Sequence, residues 1–560
     1  MPRRSERASE LLRGVLRRAL GALPLGPSDA LLQRLAAAFR LFAVGLALQR
    51  LRLHLLDLRR TGLRGLSVRA FNSLVAAAVA LPGVATIVER EVGKELASVE
   101  QKMHGSGDPD AFVQLPEKGL GAAAILDLAR GLQTTEIEKH QMGQGKKWAG
   151  IYHRFDGPLI DLQNQMWSMY NSSNALYEGV FPSVRKFEAE IVSWVLHLLH
   201  GDPKAGGGIL ASGGTEAVLI AALAYREQGR LRGIQRPRVV AANTAHPAIV
   251  KACHYFGMEL TKVPVEASTG FALTAVGVRP YLTSDVVAIY ASAPTFPHGV
   301  VDRVEELGRL AKRHGVGLHV DNCLGGILLS YMDREGVGEP RQVWDFRASG
   351  VTSISTDVHK YGNASKGVSV VTFRDTALRQ LTYVPVTDGC EGLYVTSTLQ
   401  GARGGGIIAQ AWATMLHVGH EGYGEYARSH AEMHTRYREA VNQIPGLRTL
   451  CASHASIVPI ASDRHNIYAV ASLMSDMGWN LFTGQMPPVL SICLGESHGQ
   501  LLPSFEADLR AALKTLDATP DYKPKGEAAI YGAMGTTPAA ILERVVRNYV
   551  DIKLSVRAAQ

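Results

Sequence analysis

From about Leu115 onward the apolar positions switch between two periods. Residues 239–242, 286–292, 317–320, 351–355 and 368–373 are short apolar runs, several of them rich in Val and Ile. Runs of that length and composition are strands buried on both faces. Between them lie stretches with helical spacing: 215–230, opening after Ser212-Gly213-Gly214, then 248–256 and 304–314. Strands alternating with helices predict an α/β fold with a mostly parallel sheet. Ligands in such folds sit beyond the carboxyl ends of strands, where Asp321 and Lys360 fall. Beyond about Gly401 helical patterns dominate, which predicts a second, smaller domain. The expected division is 1–114, 115–400 and 401–560, with no internal repeat.

Charge separates the first part from the rest. Residues 1–69 hold 14 Arg, no Lys and four acids (Glu6, Glu10, Asp29, Asp57), a balance of +10 in a chain of net +8, so the remainder carries −2. The body thus offers no basic face for nucleic acid. A basic leader that touches anionic membrane lipid fits better. Residues 31–58 interleave apolar residues with Arg34, Arg40, Arg50 and Arg52, as an amphipathic helix would. Residues 70–88 are 19 uncharged residues between Arg69 and Glu89. That is close to the ~20 apolar residues a spanning helix needs. Asn72, Ser73, Pro82 and Gly83 dilute the segment, so a helix lying on the membrane or packed on the protein is the alternative. The first 30 residues lack the compact apolar core of a secretory signal, whereas their Arg-rich, acid-poor character leaves a mitochondrial transit peptide open. Apolar residues make up 46% of the chain, enough for a large core. The five cysteines are Cys253, Cys323, Cys390, Cys451 and Cys493, an odd number without a CxxC pair. Neither a disulfide framework nor a metal site is expected, and a reducing compartment is.

Three features carry chemistry. Ser212-Gly213-Gly214-Thr215-Glu216-Ala217 places two glycines before a helix, where backbone amides and the helix dipole attract a phosphate. A Gly-rich turn with a Thr cap explains it equally well. His319-Val320-Asp321 ends a buried strand in an acid, which needs a partner. That partner is either the next helix or a pyridinium nitrogen. Ser355-Thr356-Asp357-Val358-His359-Lys360-Tyr361-Gly362 sets a lysine just past a strand, followed by Lys366. Such a lysine forms imines when burial and nearby cations lower its pKa, and a surface loop is the alternative. Taken in order, phosphate turn, strand-end acid and lysine form the set that one pyridoxal phosphate (PLP) cofactor requires.

These residues resemble those of sphingosine-1-phosphate lyases, within the group II decarboxylase family. The resemblance runs from about Leu115 nearly to the C-terminus. It rests on SGGTEA at 212–217, FPHGVVD at 296–302, LHVDNCLGG at 318–326, GVTSISTDVHKYG at 350–362, GLYVTST at 392–398 and AIYGAMGTT at 529–537. It implies a fold-type I PLP-dependent large domain, a smaller α+β domain and a homodimer with shared active sites. Lys360 matches the lysine that carries the cofactor, Asp321 the acid at its ring nitrogen and His246 the histidine stacked over the ring. Gly214 and Thr215 match the cofactor-phosphate turn, and His359 lies beside the lysine. Lys366 and Tyr152 match positions that approach the substrate phosphate. Asn174 and Tyr177 lie in Asn174-Ala175-Leu176-Tyr177, where the family often has Asn-x-Leu-His, so a tyrosine replaces a histidine. Further departures are Trp148–His153 and the loop 401–406. The implied reaction is retro-aldol cleavage of a phosphorylated sphingoid base to a long-chain aldehyde and phosphoethanolamine. PLP-dependent amino-acid decarboxylation is the second reading. A membrane-bound scaffold with a decayed site is a third. The implied location is the endoplasmic reticulum membrane, with the catalytic domain facing the cytosol. A soluble cytoplasmic enzyme is the alternative.

Overall fold

The computed structural model describes residues 114–140, 157–525 except 391, and 539–556, together with isolated positions elsewhere. The leader segments 31–58 and 70–88, the segment 148–153 with Tyr152, and the motif 529–537 lie outside the described residues. The chain divides into two compact units, residues 1–99 with 538–549, and residues 100–537 with 550–560. The sheets and the cavity described here lie in the second. Among the described residues no helix is long and apolar enough to cross a membrane.

Seven strands form the main sheet: β1 (Gly207–Ala211), β2 (Arg238–Ala242), β3 (Glu259–Val263), β4 (Val286–Ser292), β5 (Gly317–Asp321), β6 (Ser353–Asp357) and β7 (Ser369–Phe373). Their spatial order is β1-β7-β6-β5-β4-β2-β3. β3, β2, β4, β5 and β6 pair in parallel, while β7 runs against both β6 and β1. Six strands therefore point one way, and their carboxyl ends share one edge.

The buried runs sort by the two-residue period of a strand. Ile209, Val239, Ala241, Ala288 and Tyr290 face one layer, packed under α4 (Gly214–Leu231) and α5 (Ala248–Phe256). Leu210, Val240, Ile289, Leu318, Val320 and Ile354 face the other. That layer is covered by α3 (Pro182–Leu198), α6 (Val304–His314) and α7 (Gly326–Glu335), after α1 (Ala122–His140) and α2 (Gly157–Tyr170) earlier in the chain. In α6, Val304, Leu307, Leu310 and Ala311 turn inward while Glu305 and Arg309 pair on the solvent side, the i, i+3, i+4 stripe of a surface helix. It stops at Gly315, whose φ of +63° suits glycine.

The helix α8 (Gly405–Asn442) joins the two domains of this unit. Its first half packs on α2, α3 and α7, and its second on the C-terminal sheet. A kink separates the halves at Gly419, which has φ +59° and ψ −175°. The C-terminal part is α+β, as the resemblance implied; its strands lie among the helical stretches that dominate the sequence pattern. It holds an antiparallel sheet of β10 (Leu447–Thr449), β11 (Ile457–Ser462), β12 (Phe482–Gly484) and β13 (Val489–Cys493), in the order β10-β11-β13-β12. α9 (Ile467–Asp476) and α10 (Leu502–Ala518) cover it through Val470, Met474, Phe505 and Leu509. A small hairpin, β8 (Val386–Gly389) with β9 (Gly392–Tyr394), projects from the large domain with Leu393 76% exposed.

Candidate active site

A cavity of about 530 Å³ opens at the shared carboxyl edge of the sheet. The turn 212–215 leaves β1, His246 follows β2, Ser292 ends β4, Asp321 ends β5, Asp357 ends β6, and His359 and Lys360 follow it, all of them lining the cavity. Sequence-predicted residues Lys360, His359, Asp321, His246, Gly214 and Thr215 thus converge on one space.

Lys360 is held by Asp357, a residue to which the sequence pattern alone assigns no role. Its Nζ lies 2.9 Å from Oδ2 of Asp357. Asp357 is buried, and its Oδ1 accepts the Ser369 hydroxyl at 2.5 Å. Pairing satisfies a carboxylate that would otherwise be costly in the interior. His359 Nε2 is 3.5 Å from the same Oδ2, while its Nδ1 accepts the Val368 N–H at 3.2 Å. Burial lowers the His359 pKa. The lysine loop is braced from behind. The Tyr361 hydroxyl meets Ser456 and donates to the Leu494 carbonyl at 3.0 Å, and Tyr423 donates to the Gly362 carbonyl at 2.8 Å.

Asp321 is also buried, which by itself raises a carboxyl pKa. His246, the Tyr290 hydroxyl and the Cys323 N–H (3.0 Å) outweigh burial and hold Asp321 below the ordinary carboxylate range. It is an anion at neutral pH. Tyr290 lies in a fully buried strand, and a buried Tyr hydroxyl needs a partner. Burial first, and the Asp321 charge next, push its own pKa well up, so it stays a donor. Behind it His319 bonds Ser353 (2.8 Å) and Ser355 (3.2 Å), and burial pushes its pKa down to about 4. His246 Nδ1 accepts the Ala248 N–H at 3.2 Å.

The turn 212–215 is organised by Glu216. Its Oε2 accepts the Ser212 N–H (2.6 Å) and hydroxyl (2.7 Å), and its Oε1 accepts the Leu399 N–H at 3.1 Å. The carboxylate is thereby occupied, and the first amides of α4 remain available to an anion.

The other expected residues fall elsewhere. Lys366 does not line the cavity. It lies at the surface beside the site, its Nζ donating to the His359 carbonyl at 3.0 Å. Asn174 and Tyr177 also lie outside the cavity of this chain. Asn174 Oδ1 accepts the N–H groups of Leu176 (3.0 Å) and Arg403 (3.2 Å), which ties it to the loop 401–404. Tyr177 is 56% exposed. That loop is further fixed by Arg403, which grips Glu188 with two bonds of 2.7 and 2.9 Å.

Residues 158–459 match the model of the pyridoxal-dependent decarboxylase conserved domain. A sphingosine-1-phosphate lyase from Oryza sativa is 36% identical over 85% of this chain and 88% of its own. The chain belongs to the sphingosine-1-phosphate lyase family. The Saccharomyces cerevisiae sphingosine-1-phosphate lyase is 33% identical over 83% of this chain and 79% of its own. A solved sphingosine-1-phosphate lyase from Burkholderia pseudomallei superposes with a TM-score of 0.71 at 32% identity, covering 80% of this chain and 98% of the other. The fold is that of these PLP-dependent lyases, and the cofactor is PLP.

The cavity fits that cofactor. It offers a lysine amine beside a buried carboxylate, an anionic acid at the end of a neighbouring strand, and free amides at a helix N-terminus. A Cβ added at Gly214 would approach Asp357 Oδ1 to 2.7 Å and Cys323 Sγ to 2.8 Å, so the turn is packed directly against the lysine's carboxylate. Sequence reasoning missed Asp357, Tyr290, Glu216 and the aromatic pair Phe296 and Phe482, which also line or brace the cavity. The Asp-x-x-Lys spacing after a strand was the available signal for Asp357.

Proposed function

We propose that this chain cleaves phosphorylated sphingoid bases, sphingosine 1-phosphate among them, into a long-chain aldehyde and phosphoethanolamine. The observation that carries the reading is the convergence of Lys360, Asp321, His246 and the turn 212–215 in a chain whose lyase relatives match it over most of both lengths. When bound, PLP supplies an aldehyde for the substrate amine and a ring that takes up the electron pair of the broken carbon–carbon bond. In this reading Lys360 would carry the cofactor, Asp321 would accept its ring N–H, and His246 would line its site. The amides of Gly214 and Thr215 would receive the cofactor phosphate. The substrate's hydroxyl proton leaves as its C2–C3 bond breaks, C3 departs as the aldehyde and C2 takes up a proton. Lys360 Nζ, 2.9 Å from Asp357 Oδ2, would be placed to move these protons once the substrate amine has taken its place on the cofactor. His359, whose Nδ1 accepts a backbone N–H, orients rather than shuttles. Tyr152 and Lys366 are the proposed partners of the substrate phosphate.

A homodimer with shared sites belongs to the same proposal. Leu393, Tyr394, Val395 and Leu399 are exposed, as are Tyr177 and Val180, and the Leu399 N–H reaches Glu216 beside the cavity. Ala175, Leu176 and Val395–Thr398 line an open groove of about 660 Å³. A second subunit would cover this surface and receive Asn174 and Tyr177. Membrane association through the leader is supported by its charge of +10 over residues 1–69. The endoplasmic reticulum location rests on the family resemblance alone.

The test is incubation of purified protein with PLP and sphingosine 1-phosphate. Aldehyde and phosphoethanolamine should appear, and borohydride should trap the cofactor on Lys360, as peptide mapping will show. Carbon dioxide release from amino acids without cleavage of the lipid would favour the decarboxylase instead.

A further inference from the structure

The polar equipment of the cavity comes from the large domain, whereas one lining residue comes from the other side. Phe482, on β12 of the C-terminal sheet, stands over the cavity and meets Phe296 edge to face, with ring centroids 4.8 Å apart at 81°. These two are the phenyl rings among the described lining residues, and Pro294 and Leu324 extend the apolar wall. A cavity of about 530 Å³ accommodates a cofactor and the reacting end of a substrate. A long alkyl chain does not fit in addition and has to leave along a wall that water does not favour.

Phe482 is held firmly in place. Its strand neighbour Ser491 donates from Oγ to the Pro297 carbonyl at 2.8 Å. A Cβ at Gly484 would come within 2.5 Å of Pro297 Cγ, so β12 lies against the Phe296-Pro297 segment. In the same turn Met486 is 58% exposed. Phe482 also touches both hydrophobic cores, and that contact alone would make it a packing residue. Its presence in the cavity wall gives it a second role.

We infer that Phe482, with Phe296, forms the rail along which the alkyl chain of the substrate leaves the reaction centre, so that Phe482 sets the preference for long chains. This rests on the lyase reading above. It places the chain-recognition element on the small domain, away from the groups that hold the cofactor.

The experiment compares one short-chain and one long-chain phosphorylated sphingoid base, both kept below micelle-forming concentrations, on the PLP-loaded full chain. Phe482→Ala should raise KM for the long chain about tenfold, leave KM for the short chain within about twofold, and change kcat little for either. Phe482→Leu, which keeps an apolar side chain and guards against misfolding of the alanine variant, should retain most of the long-chain KM. Equal effects on both chain lengths would reduce Phe482 to a packing residue and overturn the inference, as would an unchanged long-chain KM in Phe482→Ala. A wild-type protein that cleaves neither base overturns the lyase reading and this inference together, whereas the first two results overturn this inference alone.

Discussion

Two adjacent glycines in the turn 212–215 should respond differently to the same added methyl group. At Gly214 a Cβ would lie 2.7 Å from Asp357 Oδ1 and 2.8 Å from Cys323 Sγ. Neither neighbour is a loose end. Asp357 is tied to Ser369 at 2.5 Å and to Lys360 at 2.9 Å, and Cys323 Sγ is 3.2 Å from Ser355 Oγ. Overpacking of this kind costs about 1–3 kcal/mol. Relieving it by turning Asp357 away leaves a buried acceptor poorly satisfied, at a further ~1–3 kcal/mol. At Gly213 a Cβ would meet only His359 Cε1, at 3.8 Å. Its φ of 162° is extended backbone that alanine adopts. Gly213→Ala should therefore stay within about 0.5 kcal/mol of wild type. The assay is urea unfolding of the cofactor-free protein, followed by tryptophan fluorescence, so that no ligand contact enters the comparison. Gly214→Ala should lower the midpoint clearly and Gly213→Ala should not. Equal midpoints for the two variants, or a more fragile Gly213→Ala, would refute the packing argument.

Three further outcomes are expected. Tyr290→Phe removes a donor that lowers the Asp321 pKa, so that pKa rises, and the acid limb of the kcat/KM profile should move to higher pH; an unmoved limb would exclude Tyr290 as the tuning group. Asp357→Asn takes the counter-charge from Lys360 and should slow turnover by at least about tenfold while also lowering stability, since its carboxylate is buried and twice engaged. Turnover and urea midpoint measured on the same preparation test this. Burial holds His319, His434 and His498 at about 4 and His454 at about 3. The unfolded chain protonates them near pH 6.5 and the native one does not. Their stabilising share is present above that pH and is lost as pH falls toward 4. The loss is roughly 1.4 kcal/mol per group for each pH unit inside the window. Urea midpoints should drop between about pH 7 and 5.5, and His319→Asn should flatten part of that slope.

Local pattern carried much of the large domain. Residues 248–256, 286–292 and 304–314 are read to the residue because their apolar periods are unbroken. β6 is read two residues early, since the apolar run begins at Val351 whereas the strand closes on the polar pair Thr356 and Asp357. β1, a Gly-rich strand, and β3, an edge strand with exposed Lys262, give too weak a pattern to read. The short strands of the C-terminal sheet, three to six residues long, were hidden for the same reason. Lys360, Asp321 and the turn 212–217 were legible because each is a local motif. Tyr290 and Phe482 were not, because their meaning comes from partners 31 residues away at Asp321 and across a domain boundary at Phe296.

The reversed course of β7 has one more implication. The chain leaves the sheet after Asp357 and re-enters it at Ser369, directly opposite. Lys360 is thus borne on a clasp whose two ends are pinned to each other. Its position is inherited from strand alignment, not from the composition of the segment between. A slip of one residue between β6 and β7 would turn Ser369 to the opposite face. Asp357 would then lose its hydroxyl donor even though every residue of the segment itself stayed the same.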